Sequence, residues 1–320
     1  MGVTYALVVD GGNSKTDVAL VSSLGEVVGS VRGPGFRPQV TGVEGALGML
    51  DSLVGFVDRP VAHVAAFLAG ADLPEEEAAL ASAVASRGWA SSVFVANDTF
   101  AVLRAGTASL PGVAVVCGTG INCVGVGLGG EQFRFPALGA ISGDWGGGAD
   151  VGAAALWHAA RCADGRGPWT ELAVLVPGHF GLESVASVTR AVHVGEIPYL
   201  RLRELAPLVL GLADEVAESI VDRLAGEIVA MAGAALSALN LTDCEVVLGG
   251  GILAAAPPGL LDPIRAGLPA SVRPVVVSAP PLLGAGLAGL DALGAGPEAY
   301  ARLRGYWAGS GTTQGEVAAR

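Results

Sequence analysis

A short pattern of strand, glycine turn and strand occurs twice in this chain of 320 residues, and the two copies start 107 residues apart. The first copy contains VVDGG at residues 8–12, and the second contains VVCGT at residues 115–119. In each copy an apolar run typical of a buried strand leads into the turn, and two further strand-like segments surround or follow it. This duplication predicts two similar α/β lobes, because each copy needs its own sheet and covering helices.

Hydrophobic periodicity extends the pattern beyond the turns. The first half of the chain predicts the order βββαβαβα, and the second predicts βββ, several helices and then βαβα. We therefore predict an N-terminal lobe over residues 1–108 and a C-terminal lobe over residues 109–320. Ligands of open α/β sheets bind beyond the carboxyl ends of the strands, so we expect the glycine turns to converge on a cleft between the lobes.

The composition argues against several classes of protein. The chain has 30 acidic and 18 basic residues, whereas a general nucleic-acid binder normally carries a basic surface. A hydrophobic content of 52% argues against disorder. The long uncharged stretch at 105–130 is divided by glycines and a proline, so it predicts strands and turns rather than a membrane span. Residues 3–9 lead into the first glycine turn without a secretory signal, and we expect a cytoplasmic protein.

The first glycine turn is a candidate phosphate-binding segment. It contains Lys15, the only lysine among the 18 basic residues. Glycines let backbone N–H groups approach a phosphate, and serine, lysine and threonine side chains add donors. The candidate residues are Gly11, Gly12, Asn13, Ser14, Lys15 and Thr16. Asp10, just before the turn, could hold waters on a Mg²⁺ ion. The alternatives are an ordinary glycine-rich hairpin and a turn-capping aspartate.

Two further glycine turns stand at the ends of predicted strands. They are Gly118-Thr119-Gly120 and Gly249-Gly250-Gly251. The first repeats the phosphate-binding pattern of the N-terminal half, and the second leaves room for a flat ligand or a phosphate against the backbone. The alternative in both cases is a plain connecting turn.

An aspartate that follows a buried strand is the candidate catalytic group. Asp98 comes directly after Asn97 at such a strand end, where a carboxylate could take a proton from a hydroxyl group. The alternative is that Asp98 caps the following helix, a position that aspartate favours. Further along, the segment GDWGGG at 143–148 offers Asp144 for a substrate hydroxyl, with a flexible loop as the alternative.

Together these motifs resemble the BadF/BadG/BcrA/BcrD-type ATPase family, which includes N-acetylglucosamine kinases. The resemblance rests on DGGNSKTD at 10–17, ND at 97–98, GTGINC at 118–123, GD at 143–144 and LGGG at 248–251. The family belongs to the superfamily of acetate and sugar kinases, heat-shock chaperones and actin. The resemblance implies an α/β fold of two ribonuclease-H-like lobes, a duplicated βββαβαβα unit with a nucleotide cleft between the copies.

The resemblance also implies roles for single residues. Residues 10–16 and 118–120 would bind the phosphates of ATP, and residues 249–251 would bind its adenosine. Asp98 would be the catalytic base on the 6-hydroxyl group of an amino sugar such as N-acetylglucosamine, and Mg²⁺ would assist the transfer of the γ-phosphoryl group. Asn122 and Asp144 match positions that bind sugar hydroxyls in the N-acetylglucosamine kinases. We also predict that Arg37, Gln39, Asn97 and Trp145 bind the substrate. A homodimer is implied as well.

Three positions depart from the family pattern. Arg37 falls about where the kinases usually have an asparagine, the usual Gly-Trp-Gly stretch reads FPALG at 135–139, and Trp145 replaces the glutamate of a Gly-Asp-Glu-Gly stretch. We hypothesise that Arg37 pairs with an anionic or more polar sugar substituent and that Trp145 stacks on a sugar face. A solvated loop arginine is the alternative for Arg37.

Two other functions fit the same resemblance. Some family members are ATPases that activate 2-hydroxyacyl-CoA dehydratases or benzoyl-CoA reductases and share an iron–sulfur cluster, which needs exposed cysteines. The four cysteines of this chain show no CxxC spacing, and we expect them to be reduced and mostly buried. The other alternative is a non-catalytic regulator, against which Asp98 and Lys15 argue.

Overall fold

The computed structural model describes residues 2–107, 110–255 and 257–309 of the chain. Contacts divide the chain into two compact units, one from Met1–Ser109 together with Val277–Arg320, and the other from Leu110–Val276. The division predicted from the sequence placed everything after residue 108 in one lobe. The structure corrects this for the segment that begins at Val277.

The N-terminal part of the first unit has the predicted order βββαβαβα. Its elements are β1 (Tyr5–Gly11), β2 (Lys15–Ser22), β3 (Val27–Pro34), α1 (Pro38–Val54), β4 (Val61–Leu68), α2 (Pro74–Ser86), β5 (Ala90–Asn97) and α3 (Asp98–Gly106). The five strands form one mixed sheet in the order β3-β2-β1-β4-β5. The central strand β1 pairs antiparallel with β2 and parallel with β4. Its carboxyl end leads into the first glycine turn.

The second unit repeats this arrangement of strands. Its elements are β6 (Gly112–Cys117), β7 (Ile121–Val126), β8 (Gln132–Arg134), α4 (Gly147–Ala163), α5 (Leu172–His179), α6 (Val185–His193), α7 (Ala206–Gly211), α8 (Glu215–Ala238), β9 (Glu245–Gly249), α9 (Gly251–Ala254), α10 (Pro258–Gly267) and β10 (Arg273–Val276), with 3₁₀ helices at Gly139–Ser142 and Tyr199–Leu205. The sheet order is β10-β9-β6-β7-β8, with β6 antiparallel to β7 and parallel to β9. Since β6 has the neighbours that β1 has in the first sheet, the predicted duplication is confirmed.

Several helices lie between β8 and β9, and the sequence predicted only part of them. Apolar residues at helical spacing over 214–240 predict the long helix α8, and its buried stripe includes Ile220, Leu224 and Ile228. Helices α5 and α6 have eight and nine residues, too few for periodicity to show, and were missed. Among the residues that the structure describes, no helix combines the length and the apolar character that crossing a membrane requires.

The last two helices, α11 (Pro281–Ala292) and α12 (Pro297–Gly309), pack on the first unit. Close packing is possible because α11 carries glycines where it meets the sheet and α3. A Cβ on Gly289 would lie 3.0 Å from the side chains of Ala6 and Val8, and one on Gly284 would overlap the carbonyl oxygen of Ala101. Chain order alone could not reveal this packing, because the residues that meet are 183 to 283 positions apart in the sequence.

Candidate functional site

The end of β1 places a buried carboxylate among other charged groups. Asp10 is 6% exposed and lies opposite Asp17 in the β1–β2 ladder. Burial, and after it the carboxylates of Asp98 and Asp17, raise the pKa of Asp10 to about 8, although Lys15 and Arg32 act in the opposite direction. A positive charge beside Asp10 would therefore favour its ionised form.

Asp17 is held by two basic side chains. Arg32, its partner in the β2–β3 ladder, donates from Nε at 2.6 Å and from Nη2 at 3.1 Å. The Nζ atom of Lys15 lies 3.2 Å from Asp17 Oδ2, and the lysine side chain is 47% exposed. The single lysine therefore stands at the first glycine turn, where its ammonium group contacts a carboxylate.

The six predicted phosphate-binding residues of this turn divide into two groups. Asn13, Ser14 and Lys15 are exposed, and Gly12 is half-buried. Gly11 and Thr16 are buried in the sheet. A Cβ on Gly11 would lie 2.7 Å from a methyl carbon of Leu68, and the Thr16 hydroxyl has no hydrogen-bond partner among the residues that the structure describes. The burial of Gly11 and Thr16 supports a packing role for these two residues instead of direct contact with a ligand.

Asp98 is the first residue of α3, and the cap of that helix is Asn97. The Asn97 Oδ1 atom accepts a hydrogen bond from the Thr99 N–H at 2.9 Å, and Nδ2 donates to Asp72 at 2.8 Å. Asn97 is 1% exposed, so the prediction that it binds substrate is not supported, because its amide is buried and committed to the helix end. The alternative that Asp98 caps the helix is wrong, because Asn97 occupies the cap position.

The carboxyl group of Asp98 has the properties of a general base. The residue is half-buried. Burial raises the pKa of Asp98 to about 6, while the backbone N–H groups of Thr99 and Asp98 oppose the rise. A carboxylate that titrates near pH 6 is ionised at neutral pH and can still hold a proton briefly.

The loop after β3 packs against the first glycine turn. Phe36 is fully buried, and its N–H donates to the carbonyl oxygen of Gly12 at 2.9 Å. Arg37 is exposed, and its Nε donates to the carbonyl oxygen of Asn13 at 2.7 Å. Gln39, also predicted to bind substrate, is exposed near Gly70. The structure thus brings Arg37 to the turn that the sequence assigned to phosphate.

In the second unit, the other two glycine turns meet at a cavity of about 440 Å³. The residues around it are mostly small or apolar. They are Gly118, Thr119, Gly148, Arg203, Ala206, Pro207, Leu210, Gly211, Gly251, Ile252, Ala255 and Pro257. Three of the six predicted turn residues therefore line one cavity.

The remaining three glycines of these turns shape the backbone. The Gly118 N–H donates to the carbonyl oxygen of Gly120 at 2.9 Å, which closes the turn Gly118-Thr119-Gly120. Gly249 ends β9 and is buried. Gly250 has a φ of +88°, and a Cβ there would overlap the carbonyl oxygen of Cys117, so only glycine lets the two turns approach this closely.

Arg203 is a cavity residue that the sequence analysis missed. It lies on the 3₁₀ helix Tyr199–Leu205, and its Nη1 atom is 3.4 Å from the hydroxyl of Thr119. No motif surrounds it in the sequence, and arginine is the commonest basic residue of this chain. Only the folded arrangement distinguishes it from the other arginines.

The other predicted substrate residues have partners within the second unit. Asn122 Oδ1 accepts from the Cys123 N–H at 2.7 Å, and Asp144 Oδ2 accepts from the Ser142 hydroxyl at 2.5 Å. Trp145 packs against the core, and the guanidinium carbon of Arg223 lies 3.9 Å from its ring centroid. One face of this indole is therefore already covered, which argues against sugar stacking on that face.

The cysteines and the other potential metal ligands are scattered. Cys117 and Cys123 are buried, and burial raises the pKa of both thiols. Cys162 and Cys244 are half-buried. Within residues 2–107, 110–255 and 257–309, no three histidine, cysteine, aspartate or glutamate side chains are grouped to hold a metal ion.

Comparisons with known proteins agree with this arrangement of motifs. The sequence profile of the BadF/BadG/BcrA/BcrD ATPase family matches residues 7–265. A protein of Clostridium acetobutylicum named N-acetylmuramic acid/N-acetylglucosamine kinase is 26% identical over 262 residues, which cover 78% of this chain and 85% of that protein.

Solved structures with a similar fold include two proposed N-acetylglucosamine kinases. The protein from Chromobacterium violaceum has a TM-score of 0.65 and 22% identity, over 89% of this chain and 99% of the other. The protein from Porphyromonas gingivalis has a TM-score of 0.67 and 20% identity, over 91% and 99%. At these identities the likeness shows a shared fold.

Proposed function

This chain belongs to the BadF/BadG/BcrA/BcrD ATPase family, and on that premise we propose that it is an ATP-dependent sugar kinase. The proposed reaction transfers the γ-phosphoryl group of ATP to a hydroxyl group, the 6-hydroxyl, of an amino sugar such as N-acetylglucosamine. A homodimer belongs to the same proposal. A molar mass in solution of twice the 31.7 kDa of the chain would support it.

The observation that carries the proposal is the position of Asp98 at the N-terminus of α3, close enough to Asp10 to raise its pKa. In the proposed step Asp98 accepts the proton of the sugar hydroxyl, while the oxygen of that hydroxyl bonds to the γ-phosphorus. The bond between the γ-phosphorus and the β–γ bridging oxygen breaks, and ADP leaves. Because Asp98 titrates near pH 6, it is ready to accept a proton at neutral pH.

The residues around Asp10 fit a magnesium ion. A desolvated carboxylate with a raised pKa, near two more carboxylates, loses unfavourable interactions when a divalent cation binds. Mg²⁺ usually takes one or two carboxylates and completes its shell with waters and phosphate oxygens, so Asp10 alone among the nearby acids would suffice. When bound, the ion would neutralise charge on the phosphate chain.

The glycine turns of the two units have separate tasks in this proposal. In the first unit, the exposed residues Asn13, Ser14 and Lys15 would contact the phosphate that is transferred. In the second unit, the cavity beside Gly118 and Gly251 would hold the nucleoside. Its apolar wall suits a purine ring, and its glycines allow the nucleotide to approach the backbone.

The nature of the sugar is the most specific part of the proposal. The Clostridium acetobutylicum relative is named for both N-acetylmuramic acid and N-acetylglucosamine, and the first of these sugars carries a carboxylate. Arg37 is exposed, and within the described residues its side chain bonds only through Nε, to the carbonyl oxygen of Asn13. Its remaining N–H groups could bind such a carboxylate in the bidentate manner that arginine favours.

An ADP-release assay over a panel of sugars tests the proposed reaction. The panel contains N-acetylglucosamine, glucosamine, N-acetylmannosamine, N-acetylmuramic acid, glucose and a blank without sugar. Wild type is compared with Asp98→Asn and with a control, Asp58→Asn, whose carboxylate is exposed on the same unit. Sugar-dependent turnover that Asp98→Asn abolishes and Asp58→Asn retains would support the proposal. Sugar-independent ADP release would instead favour an ATPase that acts on a partner.

The role of Arg37 requires a separate comparison. In Arg37→Ala we expect the KM for N-acetylmuramic acid to rise while the KM values for N-acetylglucosamine and ATP stay the same. Arg190→Ala, which removes an exposed arginine paired with Glu196, is the control. A higher KM for ATP with no change for either sugar would show that Arg37 acts through the turn at Asn13 and not on the sugar.

A further inference from the structure

The first amides of α4, beside the second glycine turn Gly118-Thr119-Gly120, already have backbone partners. The N-terminus of α4, which elsewhere would attract an anion, is bonded to the turn itself. The Gly148 N–H donates to the carbonyl oxygen of Gly118 at 2.8 Å, and the Ala149 N–H donates to that of Thr119 at 2.9 Å. Gly148 and Ala149 therefore do not offer these N–H groups to the phosphates of a nucleotide in this cavity.

Arg203 is the only charged residue among the described residues that line the cavity. Its guanidinium lies near the phosphate-binding turn, with Nη1 3.4 Å from Thr119 Oγ1. No carboxylate in the described part of the chain lies within ion-pair distance of it. The adjacent acid, Glu204, instead binds Arg201 at 2.8 Å and His179 at 3.2 Å. The positive charge of Arg203 is thus not neutralised by its neighbours.

Close packing holds the backbone of Arg203 in place. A Cβ on Gly148 would lie 3.2 Å from the Cβ of Arg203, and a Cβ on Gly152 would overlap the carbonyl oxygen of Leu202. The 3₁₀ helix therefore lies directly against α4, the same helix whose first amides bind the turn. The 3₁₀ helix that carries Arg203 and the second glycine turn both contact α4, which limits how far the guanidinium can move from the cavity.

From this arrangement we infer that Arg203 binds the phosphate chain of the nucleotide and makes the cavity selective for nucleoside di- and triphosphates over nucleosides. The inference rests on the proposed use of ATP. The planar guanidinium presents several donors that match phosphate oxygens, and the other lining side chains, apart from the Thr119 hydroxyl, are apolar or absent. The apolar wall supplies contact with the base, and Arg203 supplies the preference for phosphate.

Binding measurements on the full chain test this inference without any sugar. The dissociation constants of ADP and of adenosine are measured by calorimetry for wild type, Arg203→Met, Arg203→Lys and Arg201→Met. Methionine keeps much of the length of the side chain without its charge, and Arg201 is an exposed residue of the same 3₁₀ helix that does not line the cavity. The Kd of ADP is also followed over a range of ionic strength, because an interaction between charges is screened by salt.

We expect Arg203→Met to raise the Kd of ADP about 10- to 100-fold, the range for losing a hydrogen bond between charged groups, and to leave the Kd of adenosine unchanged. The Kd of ADP in this variant should also depend less on salt. Arg203→Lys should lose less affinity, and Arg201→Met should match wild type. An equal loss for both ligands, or no loss for ADP with an unchanged salt dependence, would overturn the inference.

The outcomes also separate this inference from the proposed function. If wild type binds ADP in the way described but phosphorylates no sugar of the panel, the kinase proposal fails and the role of Arg203 stands. If wild type binds ADP no better than adenosine, the role of Arg203 fails even where sugar is phosphorylated.

Discussion

Replacing Asp10 by asparagine should stabilise the free protein although it removes a residue of the proposed site. The carboxyl group is 6% exposed, and its pKa rises from an ordinary value of 3.8 to about 8. The folded state then binds the proton more tightly than the unfolded chain. The contribution of Asp10 to the free energy of unfolding is therefore fully present below pH ~4, and it is lost as the pH rises through about 8.

The size of the effect follows from the pKa values. Each pKa unit corresponds to about 1.36 kcal/mol, so the shift of Asp10 from 3.8 to about 8 is worth at most ~6 kcal/mol once the group is ionised in both states. Asparagine resembles the protonated carboxyl group and does not ionise. The free energy of unfolding of Asp10→Asn relative to wild type should therefore increase between pH 5 and pH 8, by an amount below that limit.

Thermal unfolding in the presence of EDTA measures this difference at pH 5, 6, 7 and 8. The control is Asp58→Asn, because Asp58 is exposed and Arg59 lowers its pKa. Addition of Mg²⁺ at pH 8 should stabilise wild type and leave Asp10→Asn unaffected. The reasoning is refuted if the variant is no more stable than wild type at pH 8, or if the difference between them is the same at pH 5 and pH 8.

Three further predictions concern the two units separately. Asp98→Asn should lower kcat by about 10²- to 10⁴-fold. The kcat/KM of wild type should fall about tenfold per pH unit below pH ~6, because protonated Asp98 cannot accept a proton. A flat pH profile would contradict this role of Asp98. Gly250→Ala should destabilise the protein by more than ~1 kcal/mol in thermal unfolding, whereas Gly251→Ala, with open space around its Cβ, should not. GTP should replace ATP with kcat/KM within about 100-fold, since the lining side chains offer no pattern to read the base; a stronger preference would show that backbone groups read it.

Local sequence patterns predicted much of the fold. The order βββαβαβα of the first unit and the repeat beginning at β6 follow from apolar runs and glycine turns, which depend on neighbours a few residues apart. The same patterns placed Asp98 directly after a strand, as the structure has it. Lys15 was assigned to the glycine turn, and in the structure it is the first residue of β2. Short helices such as α5 and α6 lack the length to show a period, and the sequence did not predict them.

Individual roles at the site were harder to predict, because they depend on partners distant in the chain. Residue type favoured both Asn97 and Asp98 as functional, yet the bond from Asn97 to Asp72 makes one a buried cap and leaves the other as the candidate base. Arg37 was chosen for contact with sugar, and the structure shows it bonded to Asn13. Trp145 was chosen for stacking, and Arg223 covers one of its faces.

The sequence by itself determined the duplicated α/β architecture, the glycine turns and the carboxylates at the strand ends, since each is written in a few consecutive residues. Tertiary structure alone decided that α11 packs on the first sheet, because that packing depends on Gly284 and Gly289 meeting Ala101 and Val8. It also decided that Arg203 faces the turn at Thr119, a pair 84 residues apart whose approach depends on how α4 packs against the 3₁₀ helix. Such contacts depend on the packing of whole elements, which no local pattern encodes.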